Sequence, residues 1–308
     1  MRRFQKPLSW LLGIAGVALV VWYFGPANVP RMLQEVGVSG ILQWALITVI
    51  ARVFLAETTT APLRTLGFSL RRRDAFWIGW LRTFANQVIP AAGVVAYVQA
   101  IRSKTTISWS EVAALAAPQF VLVAAALGLV GLVAVFYNIE ALETSRYLPL
   151  IALYSATIVA ALLVWQRAHA LISLLPQSIA VRVATTSDAL RKMAQRPTLV
   201  LLVIACHVSA IQLRGLRMLL LFEAAGIHLE LQQMILIVAV AESSMLIQLT
   251  PGGLGVREGA VLAGAMLVGV PTEAAAGVAL LDRLFVILIT TLLTPPAILV
   301  LRASSREA

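Results

Sequence analysis

The chain has a single cysteine, Cys206, among its 308 residues, so it can form neither an internal disulfide nor a thiolate metal cluster. Histidine is almost as scarce. His169, His207 and His228 are scattered, no group of His and carboxylates has metal-ligand spacing, and no serine nucleophile motif is present. Charged residues make up 12% of the chain against 60% hydrophobic ones, and the mean hydropathy is +0.90, outside the balance of a soluble domain. No stretch of mixed polar composition is long enough to build one.

Long apolar segments take that place. Full-length spans are predicted near residues 8 to 24, 40 to 62, 110 to 136, 147 to 165, 198 to 222 and 274 to 301. The first follows Arg2, Arg3 and Lys6 and mimics a signal peptide, but no small-residue cleavage site follows it, so it reads as an uncleaved span. Two further apolar stretches, residues 74 to 104 and 232 to 270, are each broken in the middle by proline and small residues. Their halves are short, which predicts re-entrant hairpins. The expected fold is an all-α polytopic membrane protein forming one integral membrane domain over residues 1 to 308, with about six full spans and two broken-helix hairpins.

Lys and Arg accumulate on the cytoplasmic side of membrane proteins. With the N-terminus inside, six crossings collect Arg64, Arg71, Arg72, Arg73, Arg102, Lys104, Arg191, Lys192, Arg196 and Arg302 on that side, together with both termini. The outer loops keep Arg31 and Arg146 and carry Glu35, Glu140, Glu143, Glu223 and Glu230. The net charge of +10 is then mostly a cytoplasmic rim, which attracts anionic lipid headgroups and makes nucleic acid a poor partner. This places the protein in the cytoplasmic membrane as a multi-pass protein. The first hairpin enters from the cytoplasm and the second from outside, as an inverted repeat of residues about 40–137 and 198–301 requires. Gln87-Val88-Ile89-Pro90-Ala91-Ala92 aligns with Gln248-Leu249-Thr250-Pro251-Gly252-Gly253 in the same sense.

The second break, Thr250-Pro251-Gly252-Gly253-Leu254-Gly255-Val256-Arg257-Glu258-Gly259, puts an ionic pair beside three glycines within apolar sequence. Six arginines, Arg52, Arg82, Arg214, Arg217, Arg257 and Arg283, lie inside apolar segments, opposed by Glu57, Glu242, Glu258 and Asp282. An unpaired arginine in hydrocarbon costs roughly 2.5 to 3.5 kcal/mol on lenient scales, so these side chains should face a polar interior. Helical spacing agrees: Thr48, Arg52 and Thr59 share one face, as do Arg283, Thr290 and Thr294, and as do His207 and Arg214. Trp77, Trp80, Phe76 and Phe84 read as an interfacial aromatic belt. A helix restarting after a break presents unpaired N–H groups that favour an anion, and Arg257 in the first turn would add a fork suited to phosphate. Glu258 either meets the headgroup or holds a neighbouring arginine.

The run Pro251-Gly252-Gly253-Leu254-Gly255-Val256-Arg257-Glu258, followed by Gly269 and Arg283, closely resembles a signature of the lysylphosphatidylglycerol synthase transmembrane-region family, a flippase-like integral membrane domain. A more degenerate first signature is present as Asn86, Pro90 and Gly93; Val94 and Tyr97 stand where an acidic residue and an arginine are expected. The resemblance implies two inverted halves that move or present a polar-headed lipid. In the fused synthases a soluble aminoacyltransferase domain follows this region; here seven residues follow the last span, so no such enzymatic activity is expected.

The expected function is therefore a lipid flippase or transporter for an anionic, phosphate-bearing headgroup, with no cofactor and no metal. The expected binding residues are Arg257, Glu258, Arg283, Gly253, Gly255, Arg214, Arg52 and Asn86. Alternatives are a membrane enzyme or accessory subunit in the biosynthesis of lysylphosphatidylglycerol, polyprenyl-phosphate or hopanoid lipids, with the corresponding enzymes as partners, and a secondary transporter of a small anion. The sequence leaves the oligomeric state open.

Overall fold

The computed structural model describes residues 28–89, 92–140, 142–173, 189–246 and 250–303; the predicted span at residues 8 to 24, Pro90 and Gln248 lie outside them. In chain order the helices are α1 (Asn28–Thr65), α2 (Arg72–Val88), α3 (Ala92–Arg102), α4 (Trp109–Tyr137), α5 (Thr144–Ser173), α6 (Pro197–Ala224), α7 (Leu231–Ser243), α8 (Val256–Leu267) and α9 (Thr272–Ala303). Five of these, α1, α4, α5, α6 and α9, are long and apolar enough to cross a membrane. The protein is an all-α polytopic membrane protein.

Local signals explain several boundaries. The predicted span at residues 40 to 62 is longer in the structure, because Gly37, at φ 61 and ψ 176, bends α1 where another residue would end it. Helix α4 starts at a capping box in which Ser108 Oγ accepts from Glu111 N at 3.3 Å and Glu111 Oε2 accepts from Ser108 N at 2.8 Å. The halves of the two broken stretches are short. Helices α3, α7 and α8 have 11, 13 and 12 residues, which at 1.5 Å per residue span about 17–20 Å, well under a hydrocarbon core of about 30 Å.

The packing is that of a protein solvated by acyl chains. Val38, Leu42, Leu46 and Val53 on α1 and Leu292 and Leu299 on α9 point outward, while threonines, carboxylates and arginines are buried. Small residues bring helices together: a Cβ on Gly131 of α4 would lie 2.2 Å from Tyr154 Cδ1 of α5, and one on Gly264 of α8 would lie 3.0 Å from Ile237 Cα of α7.

Two apolar clusters mark opposite ends of the bundle. One joins Met32 and Val36 at the start of α1 to Met234 of α7, Val261 of α8 and Ala275 of α9. The other joins Ala56 and Leu63 near the end of α1 to Ile78 of α2, Ile101 of α3 and Leu301 at the end of α9. Helices α1 and α9 therefore run the same way. The start of α2 and the end of α3 pack against the last part of α1 and α9, and α7 and α8 pack against their first part.

Candidate functional site

The two breaks meet beside α9. A Cβ on Gly252 would lie 3.5 Å from the Gln87 Cα at the end of α2, and the Thr290 hydroxyl of α9 lies 2.8 Å from the Gln87 amide. Three glycines make the turn between α7 and α8: Gly252, Gly253 and Gly255 sit at φ 56, 72 and 79, where a side chain is strained. The turn is stitched by its own groups. Glu258 Oε2 accepts from Gly255 N at 2.7 Å, and Thr250 Oγ1 donates to Leu254 O at 2.7 Å. Arg283 Nη1 donates to Gly252 O at 2.7 Å, and its Nε lies 3.8 Å from Glu258 Oε1. The neighbouring arginine that Glu258 faces is thus Arg283, across on α9. Its carboxylate also occupies the N–H at the start of α8 where an external anion would dock.

Arg257 turns its fork to two carboxylates. Its Nη1 donates to Asp282 Oδ2 at 2.8 Å and its Nη2 lies 3.7 Å from Glu242 Oε1. Asp282, 1% exposed, is the hub of this network: it also takes Arg217, with Nη2 at 3.0 Å and Nε at 2.9 Å, and the indole N–H of Trp44 at 3.1 Å. Arg217 stacks on Trp44, its Cζ 4.9 Å from the ring centroid. Glu242 in turn accepts from Arg214, which also reaches Met245 Sδ at 3.5 Å. Four helices, α1, α6, α8 and α9, and the end of α7 are tied together by these charges.

The first break is held by Asn86, whose Oδ1 accepts from Gly93 N at 2.8 Å and so caps α3. A Cβ on Gly93 would lie 2.3 Å from that oxygen and 2.4 Å from Arg82 O, so this position requires glycine. Two arginines nearby have no carboxylate. Arg52 donates from Nη2 to Thr83 Oγ1 at 2.9 Å and lies 4.8 Å over the Trp80 ring; Arg82 lies 5.0 Å over the Tyr97 ring. Neither forms an ion pair among the described residues. Trp80 departs from the expected interfacial belt. It is fully buried, because its face is the support for Arg52.

A family model described as the lysylphosphatidylglycerol synthase TM region matches residues 10–294. The chain belongs to this family. It is accordingly a membrane protein related to lipid metabolism or transport. No curated protein and no solved structure matches it.

Of the expected binding residues, the structure gathers Arg257, Glu258, Arg283, Gly253 and Gly255 at the second break, ties Arg214 to them through Glu242, and sets Arg52 and Asn86 around α2. Asp282 and Glu242 entered the sequence reading only as counter-charges, although both organise the site. Arg82 was counted in the sequence reading among the interior arginines but not among the expected binding residues; its four-residue spacing from Asn86 puts both on one face of α2. Tyr97, which stands where the family resemblance leads to an arginine, instead carries the guanidinium of Arg82 on its ring.

Proposed function

We propose that the protein is a lipid flippase that binds a phosphate-bearing headgroup at its arginine-lined centre and carries it across the cytoplasmic membrane. One observation carries this reading. With Glu57 set apart because Arg64 and Arg72 take it, the interior holds six arginines (52, 82, 214, 217, 257 and 283) against three carboxylates (242, 258 and 282), a surplus of three positive charges. A surplus of that size in hydrocarbon calls for an anion, and the commonest anion in a bilayer is a lipid phosphate. Family membership adds the lipid connection.

In this reading the α2–α3 and α7–α8 pairs are re-entrant hairpins from opposite leaflets, and residues about 40–137 and 198–301 are inverted halves with the site between them. The order long helix, broken pair, long helix in both halves supports it: α1, α2–α3, α4 and then α6, α7–α8, α9. The end of the bundle that bears Arg64, Arg71, Arg72, Arg73, Arg102, Lys104, Arg196 and Arg302 faces the cytoplasm. The three interior carboxylates serve to space and orient the arginines.

The test is to extract the protein with its surrounding membrane and identify retained lipids by native mass spectrometry. Enrichment of phosphate-bearing anionic lipids over their share of the bulk membrane is expected. A retained population matching the bulk membrane would refute the reading.

A further inference from the structure

Arg52 and Arg82 differ from the other four interior arginines in what holds them. Each guanidinium lies over an aromatic ring in place of a carboxylate, Arg52 over Trp80 and Arg82 over Tyr97. Arg52 is also seated closely against Gly79, where a Cβ would come within 3.0 Å of Arg52 Cδ. Both are partly exposed. His207 of α6, 8% exposed, has an Nε2 without a hydrogen-bond partner. Gly79 and Thr83, which hold Arg52 against α2, flank Arg82 on the same helix and so bring the two guanidinium groups to one stretch of it. Like charges gathered at low dielectric repel, so an assembly of this kind is complete only with an anion.

Among the described residues, the carboxylates of the interior are all engaged. Asp282 receives Arg217, Arg257 and Trp44; Glu242 receives Arg214 and faces Arg257; Glu258 caps Gly255 and faces Arg283. Glu57, toward the end of α1, is taken by Arg64 at 3.2 Å and Arg72 at 2.7 Å. A headgroup ammonium would thus arrive beside two arginines with no open carboxylate among the described residues to receive it, a repulsive element that discriminates against it.

We infer that Arg52 and Arg82 are the phosphate-binding residues of this protein and that the site takes a phosphate group carrying no ammonium, which excludes aminoacylated and ethanolamine headgroups. The inference rests on the flippase reading for the lipid as the source of that phosphate. Phosphatidylglycerol and long-chain phosphomonoesters fit: they offer acceptors to both guanidinium edges and bring no cation.

The experiment uses the full chain in proteoliposomes with lipids labelled on an acyl chain, the accessible leaflet being read by dithionite quenching. Phosphatidylglycerol is expected to exchange at least about tenfold faster than lysylphosphatidylglycerol or phosphatidylethanolamine, the ratio that a modest binding preference produces. Arg82→Gln and Arg52→Gln should each remove most of that exchange and the phosphatidylglycerol adduct in native mass spectrometry. If Arg52→Gln fails to elute as a single species, Arg52→Lys takes its place, with partial loss expected because the charge stays and the fork goes. A parallel arm asks whether inorganic phosphate alone raises the thermal midpoint of the wild type but not of Arg82→Gln.

Equal exchange of lysylphosphatidylglycerol, or full exchange by Arg82→Gln, overturns the inference and leaves the flippase reading standing. Stabilisation by inorganic phosphate that depends on Arg82, with no exchange of any lipid, overturns the flippase reading and supports the site as one for free phosphate. Absence of both effects overturns both.

Discussion

Replacing Asp282 with Asn would remove the charge at the centre of the ionic network while keeping its shape. Asp282 serves two guanidinium groups and the Trp44 indole, so the loss falls unequally. Arg257 retains Glu242 at 3.7 Å, whereas Arg217 retains only the Thr48 hydroxyl at 3.4 Å and the face of Trp44. Breaking a buried pair by removing one partner costs about 3–5 kcal/mol, chiefly because the other charge is left uncompensated, which is about two to nearly four factors of ten in the folding equilibrium. Removing the stranded charge as well should recover most of this. Asp282→Asn combined with Arg217→Met is therefore expected to approach the wild type more closely than Asp282→Asn combined with Arg257→Met, since Arg217 is the arginine left without a carboxylate. Unfolding by SDS titration, with the thermal midpoint in detergent as a second measure, reads all four proteins. A single variant as stable as the wild type would show that Asp282 is not the hub, and equal recovery by the two double variants would refute the unequal sharing.

Gly252→Ala should lower the thermal midpoint and displace Arg283, since its Cβ would lie 2.9 Å from Arg283 Nη2 at a φ of 56; Gly253→Ala, at φ 72 with its nearest neighbour 3.9 Å away, should show the backbone strain alone and lose less. Asn86→Ala should destabilise the α2–α3 pair by about 1 kcal/mol, the usual worth of a cap, and increase amide exchange at the start of α3. The Ser108 N–H and hydroxyl hold the Glu111 carboxyl below its usual range, so its contribution is present above the unfolded value of about 4.3 and is lost as pH falls through the lower folded value; in Ser108→Ala, which keeps the N–H and loses the hydroxyl, thermal midpoints taken below pH 5 should show a weaker dependence. Cysteines at Arg73 and Lys104 in a Cys206→Ser background should both be shielded from an impermeant external thiol reagent in intact cells, and labelling of one alone would mean that residues 74 to 104 cross the membrane.

The long helices were legible because hydropathy over some twenty residues is set by the solvent alone, and lipid accepts little else. Both breaks were legible because proline and glycine weaken a helix, although α1, α4, α5 and α9 run on through Pro62, Pro118, Pro149, Pro295 and Pro296. The start of α1 was not, since Gly37 bends the chain in a way that composition does not distinguish from a stop. Nor was the use of each charge. Arg257 and Arg283 looked like open donors because their partners, Asp282 and Glu242 for one and Gly252 O and Glu258 for the other, come from sequence positions that periodicity cannot bring together. Trp80 was misassigned because a tryptophan amid other aromatics suits an interface as well as it suits a buried cation.

The hub around Asp282 also sets a timetable for synthesis. Arg217 precedes its carboxylate by 65 residues and Trp44 precedes it by 238, so α6 leaves the ribosome with two arginines whose partners on α7 and α9 have yet to be translated. At about 5–20 residues per second, Arg217 waits roughly 3 to 13 s for Asp282. During that interval α6 is a reluctant membrane segment, carrying an insertion penalty of about 2.5–3.5 kcal/mol for each arginine. The insertion machinery must then hold α6 beside α1 until α9 arrives, and a ribosome stalled between residues 224 and 282 would leave a half-made chain that quality-control proteases should recognise by its exposed arginines.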